Sequence, residues 1–137
     1  MSESAAQIRV FVVDDEGVIA SSLAMILRFQ GGFHATSFTD PMAALQAARI
    51  DAPDLLISDV VMPGLSGIDL AIQVQQHCPD CKILLFSGQI ATGPMLESVR
   101  ARGYDFQVLS KPVHPADLLA KIRDLTSFPD PLLSICL

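Results

Sequence analysis

The sequence predicts a doubly wound α/β sandwich, a five-stranded parallel sheet with helices on both faces. Three observations predict it. Short apolar runs alternate with amphipathic stretches across 8–125, the runs recur five times, and most of them end on a polar or charged side chain. Strands separated by helix-length segments must be joined by crossovers, and crossovers make a sheet parallel and cover both its faces. In such sheets ligands gather outside the carboxyl ends of the strands, so the informative residues are expected just after strands.

The first strand is expected over 8–13, closing on Asp14 and Asp15. The helix that follows is expected to line up Ile19, Leu23, Ile26 and Leu27 on one face and to stop at Gly31 and Gly32. A short second strand covers 33–38. Asp40 then supplies an N-cap and Pro41 occupies the first turn, where a missing N–H costs no hydrogen bond; Met42, Leu45 and Ala48 are expected as the inner stripe of this second helix. The third strand, 55–58, leads into Asp59. Met62-Pro63-Gly64-Leu65-Ser66-Gly67 is turn chemistry before a helix over 68–77. A fourth strand over 82–86 is closed by Ser87 and Gly88, a weaker helix covers 94–102, and a fifth strand over 106–110 ends at Pro112. The last helix, 115–125, carries Leu118, Leu119, Ile122 and Leu125 at helical spacing. The chain thus divides into an N-terminal extension (1–7), one domain (8–125) and a tail (126–137) in which Phe128, Leu132, Leu133, Ile135 and Leu137 surround two prolines. Fraying and docking both fit that tail. No residues are left over for a second domain, so the expectation is a single-domain protein.

Composition narrows the function classes. At 137 residues, half of them hydrophobic and 18% charged, the chain fits one globular domain and not a disordered one. Nine basic against fifteen acidic residues give a net charge of -6, the wrong sign for a surface that neutralises phosphates, so direct nucleic-acid binding is not expected. The longest charge-free run, 83–96, is interrupted by Ser87, Gly88, Gly93 and Pro94 and is shorter than the roughly 20 residues of a membrane span. Residues 1–7 combine no basic region with an apolar stretch, which makes a cytoplasmic location the default expectation. Cys78-Pro79-Asp80-Cys81 has the spacing of a redox pair or of half a zinc site, but no second half exists and the segment falls between a helix and a strand. These cysteines and Cys136 are therefore read as reduced thiols.

The polar residues at the strand ends carry the chemistry. Asp14 and Asp15 follow the first strand, Asp59 the third, Ser87 the fourth and Lys111 the fifth. Neighbouring strands lie about 4.8 Å apart, so carboxylates on the first and third strands crowd each other and call for a cation. Oxygen-only ligands favour magnesium or calcium, and few protein ligands with room for water and phosphate suit Mg2+. With a cation present, Asp59 is a candidate nucleophile toward phosphorus; Lys111 supplies a second positive charge, Ser87 a hydrogen-bond donor, and Gly88 an unobstructed approach.

Across 8–125 the sequence resembles the receiver domains of two-component response regulators. The resemblance rests on Val12-Val13-Asp14-Asp15-Glu16, on Ser58-Asp59-Val60-Val61-Met62-Pro63-Gly64-Leu65-Ser66-Gly67, on Phe86-Ser87-Gly88 and on Ser110-Lys111-Pro112, in that order. It implies a flavodoxin-like (βα)5 fold with strand order 2-1-3-4-5. It implies that Asp59 is the phosphoacceptor, that Asp14, Asp15, Asp59 and the backbone carbonyl of Val61 hold Mg2+, that Ser87 and Lys111 contact the phosphoryl group, and that the Lys111-Pro112 peptide is cis. The implied donor is a phosphohistidine on a sensor histidine kinase or histidine phosphotransfer protein, and the implied output is a phosphorylation-dependent contact with a downstream protein, without enzymatic turnover. Homodimerisation is left open. In the family an aromatic residue three positions before the lysine usually moves with the serine; here Val108 stands there, with Tyr104 and Phe106 nearby, and the stretch from Gly103 to Lys111 is longer than the common pattern. Two rivals are kept: a receiver-like interaction module that is never phosphorylated, and a phosphatase using an aspartyl phosphate, which lacks its acid because Val61 occupies that place.

Overall fold

The computed structural model describes residues 8–88, 92–104, 106–112 and 114–126, and strands and helices alternate throughout. In chain order they are β1 (Arg9–Val13), α1 (Gly17–Gly31), β2 (His34–Phe38), α2 (Pro41–Ile50), β3 (Leu55–Asp59), α3 (Gly67–His77), β4 (Lys82–Ser87), α4 (Thr92–Ala101), β5 (Gln107–Ser110) and α5 (Pro115–Thr126). Every strand pair is parallel and the order is β2-β1-β3-β4-β5, as expected. Apart from Thr126, which closes α5, the extension and the tail lie outside the described residues.

Period-two alternation sends side chains to two separate cores. Val10, Val12, Leu55, Ile57, Leu84 and Phe86 face α1 and α5, where Leu27, Leu118 and Ile122 cover them. Phe11, Val13, Leu56, Ile83 and Leu85 face the other way, against α2, α3 and Val99 of α4. Burial on both faces is why β3 is sequestered along its whole length and why these strands read as unbroken apolar runs.

Two helices sit differently from their expected stripes. In α1 the buried residues are Ala20, Ala24 and Leu27, while Ile19, Leu23 and Ile26 are only partly buried. Ala20 and Ala24 lie on the buried line with Leu27, and the bulkier Leu23 and Ile26 pack beside it. In α2 the buried stripe is Pro41, Ala44, Leu45 and Ala48, and Met42 is 45% exposed. The Asp40 carboxylate accepts from the Met42 N–H at 3.1 Å, fixing where the helix starts. Pro41 then begins the inward face, and Met42, about 100° further round, points away from it. α1 ends as expected, with Gly32 left-handed at φ 71° and the Phe33 N–H bonded to the Leu27 carbonyl at 3.1 Å.

The junction between β3 and α3 is tight. Ser66 caps α3 by accepting from the Asp69 N–H at 3.1 Å, and the Gly67 N–H donates to the Val60 carbonyl at 2.8 Å. A methyl group on Gly67 would overlap the carbonyl oxygen of Asp59, so only glycine lets the helix start this close to the strand end. The Lys111-Pro112 peptide is cis.

Candidate functional site

The sheet register brings the expected residues to one end. Asp14 directly follows β1, and its N–H donates to the Phe38 carbonyl of β2 at 3.1 Å. Asp59 is the last residue of β3, in register with Phe86. Ser87 ends β4 opposite Ser110, and one step further the Lys111 N–H donates to the Ser87 carbonyl at 2.9 Å. Backbone pairing alone therefore sets Lys111 beside Ser87, whose strand neighbours β3.

Asp14, Asp15 and Asp59 each offer a carboxylate oxygen, and these atoms lie within 4.8 Å of one another. Asp15 is exposed, Asp59 is 9% exposed and Asp14 only 1%. The Lys111 ammonium donates to Asp59 Oδ2 at 3.0 Å and stands 3.6 Å from Asp14 Oδ2. Burial of Asp14 pushes its carboxyl above the usual carboxylate range; the Glu16 N–H and Lys111 pull it back, while Asp59 and Asp15 add to the rise. For Lys111, burial works to lower the ammonium, but the hydrogen bond and charge of Asp59, helped by Asp14, outweigh it and the net direction is upward.

Asp14 supplies the test of whether a cation fits. Its Oδ1 accepts from the Glu16 N–H at 2.9 Å, but Oδ2 is buried and makes no hydrogen bond, with the Lys111 ammonium 3.6 Å away. An orphaned buried oxygen among three clustered carboxylates is costly, and one lysine only partly offsets it. Hard oxygen donors at this density match Mg2+ or Ca2+ chemistry. The residues present fit a divalent cation.

Val61 lies at the start of the β3–α3 loop with its side chain exposed. At Gly88 an added methyl would meet only the stem of Lys111, at 3.9 Å, so packing against the protein does not itself require glycine there. The sequence reading of Gly67 as simple turn chemistry missed its close approach to Asp59; the Ser-Gly pair at the helix start is the available signal. Near β5, Phe106 is buried and packs on Tyr104 with ring centroids 5.7 Å apart, and the Tyr104 hydroxyl accepts from Gln76 Nε2 at 3.4 Å. Both rings precede the strand, at the end of the sheet away from Lys111. Val108 pairs with Leu85 and is half-buried. Among the described residues of β5, then, no aromatic side chain stands where the family usually has one.

The fold and site together define a doubly wound α/β domain whose acidic groups and lysine meet beyond the carboxyl ends of its parallel strands. The sequence matches the model of the response regulator receiver domain across residues 10–123, and the chain belongs to that family, the receiver domains of two-component response regulators. It is 32% identical over 117 residues to the response regulator receiver protein CpdR of Brucella abortus, covering 85% of this chain and 95% of that protein. It is 31% identical over 118 residues to the probable transcriptional regulatory protein TcrX of Mycobacterium tuberculosis, covering 86% of this chain and 49% of that protein, so it spans about half the length of this relative. Among solved structures, the chemotaxis protein CheY4 of Vibrio cholerae superposes with a TM-score of 0.77 at 25% identity, covering 88% of this chain and 99% of that one. Among the described residues, no helix is long and apolar enough to cross a membrane.

Proposed function

We propose that this receiver accepts a phosphoryl group on Asp59 from a phosphohistidine of a sensor histidine kinase or histidine phosphotransfer protein and signals by changing its contacts with a downstream protein in the cytoplasm. The receiver unit is taken as 8–125, with 1–7 and 126–137 as flanking segments. The observation that carries the reading is the meeting of Asp14, Asp15 and Asp59 around one buried, orphaned oxygen, with the Lys111 ammonium 3.0 Å from Asp59, in a chain of this family.

Asp14, Asp15, Asp59 and the backbone carbonyl of Val61 would hold Mg2+. When bound, the ion would offset the carboxylate charge and draw negative charge from the phosphoryl oxygens. An Asp59 carboxylate oxygen attacks phosphorus, the bond from phosphorus to the donor imidazole nitrogen breaks, and the imidazole leaves with the electron pair and takes up a proton. Lys111 is already hydrogen-bonded to Asp59 and can transfer its hydrogen bond to a phosphoryl oxygen as charge moves there. Ser87, on the adjoining strand end, donates to another. The product is a phosphorylated state of the receiver and not a turnover cycle on an external substrate.

Phosphoramidate, a small donor with a phosphorus–nitrogen bond, tests the assignment. After incubation with Mg2+, borohydride reduction of an aspartyl phosphate leaves homoserine, and peptide mapping is expected to find it at position 59. Homoserine at another aspartate, or none, would remove Asp59 as acceptor.

A further inference from the structure

Cys78-Pro79-Asp80-Cys81 takes no part in the site above. It links α3 to β4, at the end of the sheet remote from Asp59, where Lys82 pairs with Leu55. Cys78 closes α3, its N–H donating to the Val74 carbonyl at 2.7 Å. The Cys81 N–H then donates to the Cys78 carbonyl at 3.1 Å, closing a turn with Pro79 and Asp80 at its centre. Proline presets the backbone angle that the first central position of such a turn needs, so the geometry exists before any cross-link forms. A turn of this kind keeps its first and last Cα atoms within about 7 Å, and a disulfide spans Cα atoms roughly 4.4–6.8 Å apart. The two side chains also border one core, and the Cys81 thiol donates to the Lys82 carbonyl at 3.5 Å. Cys81 is 1% exposed inside the core under α2, α3 and α4, and Cys78, half-buried, packs against that same core. Both are free thiols.

We infer that Cys78 and Cys81 form a reversible disulfide across the α3–β4 turn, with a low-molecular-weight disulfide such as glutathione disulfide as the oxidant. Cys78, the more accessible sulfur, loses its proton and attacks the oxidant; the oxidant's sulfur–sulfur bond breaks and one glutathione thiolate leaves and is protonated. The Cys81 thiolate then attacks the Cys78 sulfur of the mixed disulfide and expels the second glutathione thiolate. Two protein thiols give up two electrons and two protons, and one glutathione disulfide becomes two glutathione thiols. In the free dithiol, burial, then Cys78 and Asp54, push the Cys81 thiol up to about 12; burial and Asp54 still act once Cys78 is in the mixed disulfide, which makes the second step the slow one at neutral pH. The preformed turn works in the other direction, keeping the two sulfurs at high effective concentration. This redox site is independent of the phosphoryl-transfer reading and stands or falls without it.

The test uses a Cys136→Ser variant, so that only this pair remains. It is exposed to glutathione disulfide, quenched with acid, unfolded, treated with N-ethylmaleimide and weighed. The expected product has lost about 2 Da, takes up no maleimide, yields a peptide in which Cys78 and Cys81 are joined, and recovers both thiols with dithiothreitol. In a Cys81→Ala background the reaction is expected to stop at glutathione on Cys78. Peptide mapping of the unaltered chain looks for the same link, so the result does not depend on how a variant folds. Two maleimides on the oxidised protein, or a glutathione adduct on Cys78 that persists with Cys81 present, would overturn the inference.

Discussion

Replacing Asp14 by asparagine should stabilise the metal-free protein while disabling its site. Asp14 is 1% exposed, one of its oxygens is satisfied by the Glu16 N–H at 2.9 Å, and the other makes no hydrogen bond. Asparagine keeps the shape and one acceptor, and it puts an N–H donor where the orphaned oxygen was, facing a cluster that contains Asp59. Removing an unmet buried acceptor contributes about 1–3 kcal/mol. The charge terms do not reverse that: the variant loses one attraction, to Lys111 at 3.6 Å, and two repulsions, from Asp15 and Asp59 within the 4.8 Å cluster. Lys111 keeps its shorter contact with Asp59. For a domain of this length each kcal/mol moves Tm by roughly 3–5 °C, so a rise of several degrees is expected in EDTA at neutral pH. The pH dependence has a definite sign. Because burial raises the Asp14 carboxyl in the folded state, the native protein holds that proton more tightly than the unfolded chain. Its contribution to stability falls as pH climbs from the unfolded value of about 4 through the raised native one. The advantage of Asp14→Asn should thus be full at neutral pH and shrink toward pH 4. Thermal melts followed by circular dichroism, with and without Mg2+, measure both effects; added Mg2+ should raise the Tm of the wild type more than that of the variant. A variant less stable than wild type in EDTA at neutral pH would refute the reasoning.

Other predictions concern the same end of the sheet. Gly67→Ala gains up to about 1 kcal/mol of helix propensity but forces a methyl into the Asp59 carbonyl, a clash that costs about 1–3 kcal/mol, so urea denaturation should show a net loss and an equally stable variant would contradict the close approach. Lys111→Met should slow phosphoryl transfer by roughly 100-fold or more, as loss of one preorganised donor does elsewhere, and near-normal labelling rates would remove Lys111 from the mechanism. Val61 offers no side-chain hydrogen bond to an attacking water, so the phosphorylated state is expected to persist and Val61→Asn to shorten its lifetime; slower decay in the variant would count against that role.

The strands were legible because the sheet is buried on both faces. Runs such as Leu55-Leu56-Ile57 have no other economical reading, and the register they impose delivers Asp14, Asp59, Ser87 and Lys111 to one end without any long-range signal. Helix orientation was less legible. Ile19 and Met42 looked like core residues by periodicity, yet Ala20 and Pro41 take the inward positions, because the rotation of a helix on a sheet is set by how closely small side chains let it approach. The Ser66-Gly67 pair marks a helix start, but the atom Gly67 must avoid, the Asp59 carbonyl oxygen, is brought to it only by the fold of the loop. The same holds for Cys78 and Cys81, whose spacing was visible but whose shared core was not.

Intact-mass measurement after incubation with acetyl phosphate addresses the central claim most directly. With Mg2+ the wild-type chain is expected to gain the mass of a single phosphoryl group, with EDTA to gain none, and Asp59→Asn to stay unmodified in both. An adduct on Asp59→Asn, or an unmodified wild type in the presence of Mg2+, would contradict the account.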